Sequence, residues 1–121
     1  MEFKTKTERE QYRSRQLHPR LMDLLTALDA LAAVAKQPLM ITSIHRAADT
    51  HSYHSKWQAV DLRVLDWKVE WQQFVILIIL KMRCYDRAIQ FELEPSDRHP
   101  KSDPHLHIEY DDNTLNKEKV V

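Results

Sequence analysis

The sequence predicts a small α+β domain, a mainly antiparallel sheet with helices on one face. Three observations lead there. Apolar residues recur every three and four positions over 17–36, short alternating runs appear at 59–64, 88–93 and 105–110, and prolines punctuate the connections. A chain of 121 residues suits one domain with one core.

Taken in order, residues 1–16 form a polar, charged N-terminal segment, helical or frayed. Leu17, Leu21, Leu24, Leu25, Leu28, Leu31 and Ala32 then trace one apolar stripe, which makes 17–36 an amphipathic helix. Pro19 suits its first turn and Pro38 ends it. Residues 39–43 lean towards a short strand. The polar, His-rich stretch 44–58 has no sustained period and reads as loop. Residues 59–64 alternate as a strand with Asp61 near its start. A long apolar stretch over 67–83 follows, deeply buried by its nearly continuous apolar face. Its β-branched residues leave a strand open, but its length favours helix. Strands at 88–93 and 105–110 flank a loop carrying Pro95, Pro100 and Pro104. The domain proper spans 17–110, and 111–121 is a charged tail.

Composition excludes several classes of function. There is no glycine, where roughly 7% usage would put about eight. Gly-rich phosphate loops and dinucleotide fingerprints are therefore excluded, because both bring backbone without a Cβ close to phosphate. Lys+Arg and Asp+Glu balance at 18 each, which does not favour nucleic acid as a partner. The N-terminal stretch lacks an apolar leader, and the apolar run 74–80 is too short for a bilayer that needs about 20 residues. No membrane partner is expected, and the chain reads as soluble and cytoplasmic as made. Cys84 is the single cysteine and has no internal disulfide partner.

Five of the seven histidines border predicted strands: His45, His51 and His54, then His105 and His107. In a strand, His105 and His107 share a face. A loop His, an Asp entering one strand and a His from another can converge as three zinc ligands, with a fourth position left for water. Structural or surface histidines are the competing reading of the same spacing. His45 and His51 read as loop residues, and Glu92 and Glu94 as strand-edge residues within reach of a cleft.

The stretch Ser52-Tyr53-His54-Ser55-Lys56-Trp57-Gln58-Ala59-Val60-Asp61 resembles the Ser-x-His-x-x-Gly-x-Ala-x-Asp motif of zinc D-alanyl-D-alanine carboxypeptidases and related peptidoglycan endopeptidases. Their fold is shared with hedgehog signalling domains. Ile41-Thr42-Ser43-Ile44-His45-Arg46 resembles the family's strand-plus-arginine segment, and His105-Leu106-His107-Ile108-Glu109 its closing His-x-His strand. The three segments stand in the family's order. The resemblance implies a hedgehog/DD-peptidase-like fold, Zn2+ held by His54, Asp61 and His107, and hydrolysis of a peptide bond in the peptidoglycan stem. It implies that Arg46 binds substrate near the scissile carbonyl and that Ser52 orients the site or hydrogen-bonds substrate. Many relatives place a carboxylate three residues before the last ligand. Pro104 stands there; in the His-x-His branch that this strand resembles the first His lies beside the metal, which implies His105 as the catalytic proton carrier, with Asp103 in reserve. The second departure is Trp57 in place of glycine, which either costs conformational energy or lines the cleft. A zinc-stabilised binding module without turnover is the alternative on the same fold. A wall-cleaving enzyme without a leader resembles phage or prophage lysis proteins.

Overall fold

The structure, a computed structural model, describes residues 1–48 and 52–113. His51 and most of the charged tail lie outside the described residues. Five strands form one mixed sheet: β1 (Glu2–Phe3), β2 (Met40–Ser43), β3 (Ala59–Arg63), β4 (Ile89–Glu94) and β5 (His105–Tyr110). Their spatial order is β1-β2-β3-β5-β4. Every neighbouring pair is antiparallel except β1 with β2. Three helices complete the fold: α1 (Lys6–Arg13), α2 (Pro19–Ala35) and α3 (Val69–Tyr85). The α+β class and the largely antiparallel sheet thus agree with the periodicity.

The pleat sorts residues between two faces. Val60, Leu62, Leu106 and Ile108 point to one side and are fully buried. They meet Leu21, Leu24, Leu25 and Leu28 of α2 and Trp71, Val75 and Ile79 of α3 in a single core. Asp61, Arg63, His105, His107 and Glu109 alternate with them and belong to the opposite face. The helices fill one side of the sheet and leave the polar side open.

Helix ends follow local chemistry. Thr5 and Glu8 form a capping box at α1. At α2, His18 accepts from the backbone N–H of Arg20 through Nδ1 at 3.1 Å, and Pro19 occupies the first turn. The His18 ring stacks on Tyr110, with centroids 3.8 Å apart, and so ties the start of α2 to the end of β5.

Three features depart from the sequence-based expectations. The N-terminal segment adds an edge strand as well as a helix, because Glu2 and Lys4 donate backbone hydrogen bonds to Leu39 and Ile41. Two residues are too few to show alternation. The loop 44–58 contains a one-turn 3-10 helix, Tyr53–Lys56. The helix α3 is less buried than its composition predicts: Leu77 is 63% and Val69 66% exposed. Only one side of a helix can meet the sheet, and no described element covers the other. Among the described residues, no helix is long and apolar enough to cross a membrane.

Without glycine, left-handed backbone positions fall to other residues. Arg15, Lys36 and Trp57 have φ of 60°, 56° and 59°. Lys36 is the exposed cap of α2, a position that glycine usually fills. A Cβ in this region costs roughly 1–2 kcal/mol, partly offset by the lower entropy of the unfolded chain. Lys36→Gly should therefore raise unfolding free energy by about 0.5–1 kcal/mol in urea titrations. Unchanged or lower stability would show that the Lys36 backbone carries no such cost.

Candidate metal centre

Three segments bring the site together. The 3-10 turn carries His54, with Ser52 as its cap: Ser52 Oγ accepts from the His54 N–H at 3.1 Å, and Ser55 Oγ donates to the Ser52 carbonyl at 2.7 Å. Asp61 lies at the middle of β3, directly opposite His107 of β5. His54, Asp61 and His107 each offer one ligand atom, and these atoms all lie within 4.8 Å of one another. His54 is fully buried and Asp61 is 6% exposed. The triad expected from the sequence is assembled and can hold a metal ion; the geometry does not by itself select which metal.

The hydrogen bonds around it fit a cation. His54 Nδ1 stands 2.8 Å from the Ile44 carbonyl, which can only accept, so Nδ1 carries the hydrogen. In the neutral ring Nε2 then presents a lone pair, and it makes no hydrogen bond although it is buried. It faces Asp61 Oδ1 at 3.3 Å. A lone pair and a carboxylate oxygen at that distance repel unless a positive charge lies between them. A tetrahedral zinc with bonds of about 2.0–2.2 Å sets neighbouring ligand atoms roughly 3.3–3.6 Å apart. The His54–Asp61 spacing already meets that requirement.

His107 Nδ1 stands 2.8 Å from Asp61 Oδ1, and Nε2 stands 2.9 Å from Glu109 Oε1. Burial works to lower the His107 pKa, but the hydrogen bonds to Asp61 and Glu109 overcome it and push it up to about 9. Burial likewise works to raise the pKa of Asp61. The His107 hydrogen bond outweighs it, joined by His54 when that ring carries two hydrogens, and the carboxyl is held well below the usual carboxylate range. Without metal, the proton on His107 supplies the positive charge that the cluster needs.

A second pair stands beside the triad. His105 Nε2 lies 2.8 Å from Glu94 Oε2 and 3.8 Å from Asp61 Oδ1. Its Nδ1 lies 2.6 Å from the Asp103 carbonyl and therefore donates to it. A proton must sit between His105 Nε2 and Glu94. Ser102 Oγ donates to the other Glu94 oxygen at 3.0 Å, so this 7% exposed carboxylate is fixed from two sides. Asp103 itself is exposed and contributes its carbonyl, not its carboxylate. Glu92 and Glu94 both line the cleft, since they pair across from His107 and His105.

The cleft has a volume of about 880 Å³, with Arg46, Ser52, His54, Asp61, His105 and His107 on its walls. Arg46 is half-exposed, with Nη2 3.8 Å from Asp61 Oδ2. Trp57 is absent from those walls and adopts a left-handed backbone, a conformation that glycine takes at less cost. Its ring stacks on His45 with centroids 4.2 Å apart, and its carbonyl accepts from the His18 N–H at 2.8 Å. His45 is therefore a packing residue whose backbone N–H and carbonyl also clasp the Gln11 side chain. Glu109 escaped the sequence reading. The alternation of His105, His107 and Glu109 was the signal that could have found it.

The protonation pattern makes the stability of the metal-free protein depend on pH. His107 has a folded pKa above its ordinary 6.5, so its contribution is complete below that pH and is lost as pH rises towards 9. Asp61 has a depressed pKa, so its contribution is present above 3.8 and is lost as pH falls below it. Thermal melts in chelator should therefore show an alkaline decline between pH 6.5 and 9. Its size should be on the order of 3 kcal/mol, a tenfold change in proton affinity being worth about 1.4 kcal/mol. His107→Gln should flatten that limb; a limb of unchanged depth would assign it to other groups.

Compared with known proteins, the chain matches no protein-family model, no curated protein and no solved structure.

Proposed function

We propose that this protein is a zinc-dependent peptidase of hedgehog/DD-peptidase type that hydrolyses a peptide bond in the peptidoglycan stem. The observation that carries the reading is the His54 Nε2 lone pair, buried without a hydrogen bond and aimed at Asp61. Its support is the coincidence of that geometry with the motif order Ser52-x-His54, Asp61, His105-x-His107. Two imidazoles and a carboxylate are the donor set of a hydrolytic zinc site with an open position. Zinc bound there would polarise a carbonyl and lower the pKa of a bound water towards about 7.

The chain's own groups supply the rest. His54 is pre-oriented by Ile44 and Ser52, so little conformational entropy is lost on loading. Arg46 stands at the cleft wall, where its guanidinium can hold a substrate carbonyl or carboxylate. Pro104 has no side-chain proton acceptor, and Glu94 supplies the missing carboxylate from the neighbouring strand. With His105 it forms a pair that holds one proton at the Glu94 Oε2–His105 Nε2 contact. With the shared proton held by His105, the Glu94 carboxylate takes the proton of the attacking water and returns it to the leaving amine.

Two measurements test the reading. Purified protein should contain one zinc per chain, and His54→Ala or Asp61→Ala should abolish uptake. With synthetic stem peptides as substrate, Glu94→Gln should lower turnover by about 100-fold or more while zinc content stays unchanged. Stoichiometric zinc with no hydrolysis of any stem peptide would leave a metal-stabilised binding module and overturn the enzymatic proposal.

A further inference from the structure

Glu109 belongs to no expected ligand set, yet its carboxylate touches His107, the imidazole of the triad that has both nitrogens engaged. His107 and Glu109 are two apart on β5 and share the cleft face. Their contact runs along the strand, Nε2 to Oε1 at 2.9 Å. The contact with Asp61 runs across to β3, Nδ1 to Oδ1 at 2.8 Å. An imidazole ring has no third nitrogen, so the strand geometry divides the work between the two. Only the cross-strand nitrogen faces Asp61; the other faces a carboxylate outside the triad.

We infer that Glu109 is a positioning residue that holds the hydrogen of His107 on Nε2 and leaves Nδ1 to bind the metal. The inference rests on the metal-site reading above but adds an assignment that the triad alone does not make. A neutral imidazole ligand carries one hydrogen on the nitrogen remote from the metal, and a carboxylate acceptor there both fixes the ring and raises its basicity. Flipping the ring would bring a carbon towards Glu109 and leave that partly buried acceptor without its donor, an unfavourable exchange. The same logic operates at His54 with opposite nitrogens. Its Nδ1 hydrogen is held by the Ile44 carbonyl, so its Nε2 faces the site. The two rings are thus locked as opposite tautomers by different acceptors.

The test uses Zn2+ alone and requires no catalytic assay. In 15N-histidine-labelled wild-type protein loaded with one equivalent of Zn2+, long-range 1H–15N spectra should show His107 with a metal-bound Nδ1 and a protonated Nε2. His54 should show the reverse. Competition with a chelating dye should give a zinc affinity lowered 10–100-fold in Glu109→Ala and by less in Glu109→Gln, which keeps an acceptor. Zinc on Nε2 of His107, or equal affinity in wild type and Glu109→Ala, overturns the assignment while the metal site stands. If wild-type protein takes up no Zn2+, the metal reading falls and this assignment falls with it. The spectral arm needs no variant, so a folding defect in Glu109→Ala does not blunt the test.

Discussion

The constraint on which the rest depends is the antiparallel register of β3 against β5. Asp61 stands opposite His107, and Leu62 opposite Leu106. Because successive side chains alternate between faces, a register that places Asp61 beside His107 also places Val60 and Leu62 in the core. A slip of one residue would drive the carboxylate into the leucines of α2 and expose the aliphatic set to water. Burial of the apolar face and assembly of the polar cluster are therefore one event. The cluster can tolerate its internal electrostatic tension because the hydrophobic face holds the strands in place.

That tension is concentrated on Asp61. Imidazole nitrogens of His107 and His54 lie 2.8 and 3.3 Å from the same oxygen, with His105 at 3.8 Å. A carboxylate so placed is stable only where positive charge is shared among its neighbours. The metal-free protein meets this demand with a proton on His107. A divalent cation meets it better, because it also satisfies the His54 lone pair. Folding and metal loading would thus draw on the same charge balance.

The turn that delivers His54 shows how the protein works without glycine. Trp57 accepts a left-handed backbone at a cost of about 1–2 kcal/mol, and three contacts hold it there. Its ring lies on His45, its carbonyl binds His18, and the Gln58 N–H donates to the Tyr53 carbonyl at 3.0 Å. The strain is offset by packing and not relieved by sequence. Trp57 stays off the cleft walls, which Arg46, the carboxylates of β4 and residues of the loop between β4 and β5 help to form.

What could be read in the chain, and what could not, follows from the range of each interaction. Periodicity is local, so the helices over 17–36 and 67–83, the alternating strands and the shared face of His105 and His107 were legible without coordinates. The spacing of His54, Asp61 and His107 was legible for a related reason: short ordered motifs constrain a site strongly. The edge strand β1 was hidden because two residues carry no period, and its pairing with β2 lies nearly forty residues away along the chain. The exposed side of α3 was hidden because composition reports that a helix is apolar, not how many neighbours cover it. Glu94 and Glu109 illustrate the sharper limit. Their alternation was visible, but only the pairing of β4 with β5 decides that Glu94 reaches His105, and only the pairing of β3 with β5 gives Nδ1 of His107 to Asp61 and leaves Nε2 to Glu109. By itself the sequence determined which residue types alternate and which donors could serve a metal. The tertiary structure decided which nitrogen faces which carboxylate, because that depends on hydrogen bonds between strands far apart in the chain.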